Sequence, residues 1–66
     1  MAVLKVIEIM SDSSKSWDDA TAKGVAKAAK TLKGLKSAYV VHQSVTISGG
    51  KISSYRVNLK ISFEIV

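Results

Sequence analysis

The most regular pattern of apolar and polar positions lies near the end of the sequence. From Tyr55 the odd positions read Tyr, Val, Leu, Ile, Phe and Ile, and the even positions read Arg, Asn, Lys, Ser and Glu. Successive side chains of a β-strand point to opposite faces of a sheet. The pattern therefore predicts a long last strand with one apolar and one polar face, and the apolar face needs a cover.

Two further segments have the composition of strands. Residues 3–9 are mainly β-branched and aliphatic, and residues 38–47 precede a turn, SGGK, at 48–51. The second and third strands should form an antiparallel hairpin. The expected faces of the second strand are Tyr39, Val41, Gln43, Val45 and Ile47 on one side, and Val40, His42, Ser44 and Thr46 on the other.

The segment between the first and second strands predicts a helix over residues 17–33. Ser16 can cap the first turn, with Asp19 in a capping-box position. Gly34 suits the C′ position, where a positive φ is common. The helix's apolar stripe is mostly alanine, which allows it to lie close to a sheet, and Trp17 is expected in the core. The stripe comprises Trp17, Ala20, Ala28 and Leu32, flanked by Val25 and Ala29.

These elements predict an α+β fold of β-α-β-β order, with a three-stranded antiparallel sheet on one helix in a single domain over residues 1–66. The helix would be about 25 Å long. A last strand of about 14 residues would span roughly 46 Å. One helix cannot cover such a sheet, so we expect another copy of the chain to cover the remaining apolar surface.

Composition supports association of copies. The chain has 66 residues and no cysteine, which excludes a disulfide or a thiolate metal site and leaves a small core. The net charge of +5 suits a lysine-rich surface, or a site for nucleic acid or a phosphate-bearing molecule. The first nine residues include Lys5 and Glu8 and lack the pattern of a signal peptide or membrane span. We therefore expect a cytoplasmic protein without membrane association.

Two stretches resemble the dodecin family over nearly the whole chain. VIEIMSDSSKSWDDA resembles the family's opening, in which a strand and a serine-rich loop lead into Ser–aromatic–x–x–Ala at the start of the only helix. AYVVHQSVTISGGKISSYRVNLKISFEI resembles the family's hairpin, with Val-Val-x-Gln and a last strand that contains Tyr and ends in Phe-Glu. The resemblance implies a sheet wrapped round one helix, a hollow homododecamer, and storage of stacked flavin pairs rather than catalysis.

The resemblance also implies where a flavin would bind. Flavin-binding members carry a tryptophan at the position of Ser37, which stacks on the flavin ring, and a glutamine at the position of Arg56. Gln43 stands at a family-typical position, so Ser37, Gln43 and Arg56 would face the ligand. Stacking on an aromatic ring contributes about 0.5–1.5 kcal/mol beyond area burial, so its loss predicts weak or absent binding. Any residual binding should favour FMN over riboflavin, because the positive charge attracts phosphate.

A subgroup of the family that lacks this tryptophan and has the arginine is described as calcium-binding dodecins. It implies an alternative function, a calcium-binding or purely structural shell without an organic ligand. The sequence does not locate a calcium site, because DSSKSWDD lacks the turn glycine and final glutamate of an EF-hand loop. The candidate carboxylates are Glu8, Asp12, Asp18, Asp19 and Glu64.

Other functions have less support. The only histidine, His42, has no neighbouring acid or cysteine in the sequence, and the serines suit turns and caps, so an enzyme is the least supported class. Nucleic-acid binding rests on charge alone. Tyr39, Tyr55 and Phe63 fall on the apolar phase of their strands, where we expect them to be buried and unable to stack on bases.

Overall fold

A computed structural model of the chain describes residues 3–65. Its elements are β1 (Leu4–Ser13), α1 (Trp17–Thr31), β2 (Leu35–Ser48) and β3 (Lys51–Glu64). The strands form one antiparallel sheet in the order β1-β3-β2. The predicted β-α-β-β fold is confirmed, although β1 and β2 are longer than their sequence patterns indicated. No helix among the described residues is long and apolar enough to cross a membrane.

The central strand β3 pairs with both neighbours. β1 pairs with it from Leu4 opposite Glu64 to Ser13 opposite Tyr55. β2 pairs with it along its whole length, down to Ser48 opposite Lys51. Since β1 ends opposite Tyr55, the hairpin continues beyond it as a two-stranded ribbon. We call this ribbon, residues 46–54, the hairpin arm.

Irregular pairing in β2 corrects the predicted faces of that strand. A register shift lies between Val40, opposite Leu59, and His42, opposite Asn58. An inserted residue reverses the alternation of side chains. Tyr39 therefore lies on the face away from α1, which we call the outer face, while Gln43 lies on the helix face. The expectation that Tyr39 is buried is wrong, since 70% of its surface is exposed in the chain.

The core lies between α1 and β3. Val57, Leu59 and Ile61 of β3 are almost fully buried, and Ala20 and Ala28 of α1 cover them. Alanines at these positions let the helix backbone approach the sheet closely. Ile7, Ile9, Trp17, Leu32 and Leu35 pack at the margin of this core.

Both ends of α1 have defined caps. The Ser16 side chain accepts a hydrogen bond from the Asp19 backbone N–H at 3.0 Å, which confirms the predicted N-cap. The helix ends two residues earlier than predicted, with Leu32 as the C-cap. Gly34 has a φ of 72° and lies two residues beyond the cap, where its carbonyl accepts a hydrogen bond from the Glu64 N–H. The chain then enters β2 instead of extending the helix.

The hairpin arm makes the chain elongated, with principal extents of 49 × 19 × 14 Å. Gly49 and Gly50 form its turn with φ values of 58° and 76°, a left-handed conformation that favours glycine. Ile47 and Ile52 lie opposite each other near this turn and are 69% and 55% exposed. The arm thus carries an apolar pair that α1 does not cover.

Candidate functional site

Arg56 lies on the outer face, opposite Asp12 of β1. Its guanidinium donates two hydrogen bonds to that carboxylate, Nε to Oδ1 at 2.7 Å and Nη2 to Oδ2 at 3.1 Å. The hydrogen bond from Arg56 lowers the pKa of Asp12, and the same contact raises the pKa of Arg56. The guanidinium therefore has an acidic partner within the chain.

Ser37 is also on the outer face, and its partner is Ser62. The two hydroxyl oxygens are 2.5 Å apart. Ser62 is buried even though it faces away from α1, and its ladder partners are Val6 of β1 and Ser37 of β2. A small hydroxyl side chain, Ser37, thus stands where the resemblance implies a tryptophan in flavin-binding members, and it is hydrogen-bonded to a second serine.

One chain does not bring the three predicted ligand-facing residues together. Ser62, the partner of Ser37, is six residues from Arg56 along β3, which is roughly 20 Å in a strand. Gln43 lies opposite Val57 on the helix face, the other side of the sheet. A site that contains all three would need more than one copy of the chain, and their joint role stays a prediction.

The candidate calcium ligands are dispersed in the chain. Asp12 is bound by Arg56, Asp19 by Ser13 and Lys23, and Glu64 lies 3.6 Å from Lys36. No group of three or more histidine or carboxylate side chains suited to a metal occurs among residues 3–65. Calcium takes six to eight oxygen ligands, so the residues of one chain do not fit the ion by themselves.

Three of these carboxylates nevertheless share the outer face. Glu8, Asp12 and Glu64 stand opposite Lys60, Arg56 and Leu4 in the β1–β3 ladder. Asp12 is bound by Arg56 and Glu64 lies near Lys36, while Glu8 faces Lys60 in the ladder without an ion pair among residues 3–65. The face therefore carries acidic groups whose charges are largely balanced within the chain.

Ser13 is a structural residue that the sequence patterns did not reveal. It is 3% exposed, and its hydroxyl donates to Asp19 Oδ2 at 2.5 Å while it accepts the Lys15 N–H at 2.9 Å. The hydrogen bond from Ser13 is the main cause of the lowered pKa of Asp19, followed by that from Lys23. One serine thus connects the end of β1 to the first turn of α1, and only the fold distinguishes it from the serines around it.

Trp17 and His42 have simpler environments. Trp17 is half-buried beside the core. Its ring and that of Tyr55 make an edge-to-face contact with centroids 5.3 Å apart, and its Nε1–H donates to the Ser44 carbonyl at 2.9 Å. His42 is exposed on the outer face opposite Asn58. Trp17 therefore joins the helix to β2 and β3.

A family model and a known relative both place the chain in the same family. The family model described as Dodecin matches residues 3–66. The calcium dodecin of Mycobacterium tuberculosis is 38% identical over 65 residues, which cover 97% of this chain and 90% of that protein.

Solved dodecin structures have the same fold. Dodecin from Streptomyces coelicolor superposes with a TM-score of 0.94 at 26% identity, covering 98% of this chain and 93% of the other. The Mycobacterium tuberculosis calcium dodecin, described as calcium chelating with a calcium-binding site, gives a TM-score of 0.86 at 35% identity with the same coverage. By sequence and by fold, the chain belongs to the dodecin family.

Proposed function

We propose that this dodecin forms a calcium-binding shell and does not act chiefly as a flavin store. The observation that carries the proposal is the set of contacts that Ser37 and Arg56 make on the outer face. Ser37 has no ring and meets Ser62, and Arg56 is held by two hydrogen bonds to Asp12. A flavin would find no stacking surface at Ser37. To reach Arg56 it would have to compete with Asp12. The similarity to a calcium dodecin supports the ion as ligand.

The calcium ligands would come from neighbouring copies. Glu8, Asp12 and Glu64 share one face of the sheet. Assembly of copies through this face would bring carboxylates of different chains together, and calcium would replace the lysine and arginine partners. An ion held in this way would bind the assembled shell much more tightly than the separated chain.

The shell is proposed to be a homododecamer. Large apolar side chains remain exposed in one chain, among them Met10 at 62%, Tyr39 at 70% and Ile47 at 69%. Monomers rarely expose such surfaces without a partner. Light scattering at micromolar concentration should give a mass near twelve chains, and a monomer or dimer would contradict the assembly.

Thermal unfolding in the presence of calcium, magnesium or a chelator tests whether the folded shell binds calcium. Calcium bound only to the folded shell should raise Tm, and it adds about 2.7 kcal/mol of stability when it is a hundredfold above its Kd. Glu8→Gln should reduce the shift, whereas Asp18→Asn, which changes a carboxylate outside the outer face, should not. An unchanged Tm up to millimolar calcium would exclude the proposal.

A flavin-binding shell is the alternative, with Ser37, Gln43 and Arg56 as residues contributed from more than one copy. Fluorescence of FMN and riboflavin, titrated with the protein, separates the two. We expect little quenching by the wild type and strong quenching by the double variant Ser37→Trp, Arg56→Gln. Quenching of FMN by sub-micromolar wild-type protein would instead favour flavin storage.

A further inference from the structure

A groove of about 730 Å³ runs between α1 and the edge strand β1. Its apolar floor includes Ile7 and Ile9 of β1, Ala28 of α1 and the C-cap residue Leu32. Lysines at positions 23, 27 and 30 of the helix line the same groove. Small-molecule sites commonly have such a volume and combine apolar walls with a few polar groups. This α1–β1 groove reaches the outer face at one end, where Met10 and Asp12 line it, and Asp12 is also a candidate carboxylate of the proposed calcium site.

The charges of the groove favour an anion. Lys23 is paired with Asp19 at 3.1 Å, and Asp12, which lines the groove at the same end, is bound by Arg56. Within residues 3–65, Lys27 and Lys30 form no ion pair. Their positions three residues apart place both on one helical face. Two cations without an acidic partner thus border an apolar floor.

We propose that the α1–β1 groove binds a free long-chain carboxylate. Its alkyl chain would lie on the isoleucines and Leu32, and its head group would meet Lys27 and Lys30. From Lys23 to Thr31 the helix rises about 12 Å, which is the length of the groove that α1 lines. The combination of apolar floor and cationic rim fits an anionic amphiphile.

Calorimetric titration of the assembled protein with hexanoate, octanoate, decanoate and dodecanoate, below their micelle concentrations, tests the proposal. Each added methylene should tighten binding by up to about fourfold while the floor has room. Decanol and decyltrimethylammonium should bind more weakly than decanoate, since neither can pair with a lysine. Equal affinity for hexanoate and dodecanoate would overturn the proposal, because it would mean simple counter-ion binding.

Matched charge reversals identify the groove. Lys27→Glu with Lys30→Glu should weaken dodecanoate binding roughly tenfold, because exposed ion pairs become repulsive contacts. Lys15→Glu with Lys33→Glu makes the same change of net charge outside the groove and should leave the affinity within about twofold. Equal weakening by both pairs would contradict a localised site.

Two other results would also overturn the proposal. No binding of dodecanoate up to millimolar concentration would indicate that a neighbouring copy covers the groove. Binding to vesicles of anionic phospholipid, without binding of the free carboxylate, would assign the lysines to a membrane surface.

Discussion

The contact between Arg56 and Asp12 joins β3 to β1. The sequence marked Arg56 as a candidate ligand contact. The register places Asp12 opposite it, while Glu64 meets Lys36. Pairing across strands depends on register, which the pattern of a single strand does not contain. The residue type was therefore informative, and its partner required the fold.

This contact predicts a dependence on pH. Arg56 lowers the pKa of Asp12 below its ordinary value of 3.8, chiefly through the hydrogen bond. Because the folded pKa is depressed, the contact stabilises the fold above the ordinary pKa, and this contribution is lost as pH falls through the folded pKa. Arg56→Gln should raise the pKa of Asp12 in an NMR titration. Lys36→Gln, a control on the same face, should leave it unchanged, and an equal pKa in all three proteins would refute the assignment.

Ser13 predicts an effect of a single hydroxyl on stability. Ser13→Ala removes the group that accepts the Lys15 N–H and donates to Asp19, in a buried position. The change should lower the free energy of unfolding by about 1–3 kcal/mol. Ser14→Ala, next to it and exposed, should change it by no more than about 0.5 kcal/mol. Denaturant unfolding measures both, and similar values for the two would show that Ser13 has no special role.

At the scale of elements, the helix was the most predictable part. Ser16 and the alanine stripe indicated its start and its buried face, since capping and helical spacing are local properties. The faces of β2 were not predictable, because the extra residue between Val40 and His42 leaves no mark in the sequence. The apolar–polar alternation of β3 was regular, and it correctly predicted the buried face, on which Val57, Leu59 and Ile61 lie.

Close packing of α1 on the sheet predicts that Gly24→Ala is destabilising. A Cβ at this position would lie 2.9 Å from Leu59 Cδ1 and 3.1 Å from Ser11 Cβ. Leu59 is fully buried and has little room to move. Overpacking costs about 1–3 kcal/mol. Alanine gains about 1 kcal/mol over glycine in helix propensity.

The net effect of Gly24→Ala should be a loss of about 1 kcal/mol, measured by thermal unfolding. Ala29→Gly is the control at an exposed helix position. It should lower the free energy of unfolding by about 1 kcal/mol through helix propensity alone. A gain in stability for Gly24→Ala would show that Leu59 can move aside.

At the scale of the whole molecule, the chain leaves much apolar surface without a cover. Sequence length alone indicated this, since one helix cannot cover a sheet of such strands. The sequence could not show that a projecting arm bears Ile47 and Ile52, because that depends on where β1 stops. The sequence also cannot identify which residues form a site shared between copies, since these residues meet only in the assembly.

The hairpin arm predicts a specific effect on assembly. Ile47→Lys places a charge on the exposed apolar pair and should reduce the native mass in light scattering, because burying one isoleucine contributes about 1.5–3 kcal/mol per copy. Ser48→Lys adds the same charge at the next residue and should leave the mass unchanged. If Ile47→Lys retained the full mass at sub-micromolar concentration, the arm would not be an interface between copies.

The strand order also governs when the chain can fold during synthesis. β1 and β2 have no ladder with each other, and each pairs only with β3, the last of the three strands along the chain. No part of the sheet can therefore form on the ribosome until β3, residues 51–64, begins to emerge from the exit tunnel. A nascent chain stopped before that point holds α1 without the core strand it covers, and it would be a substrate for chaperones rather than a folded intermediate.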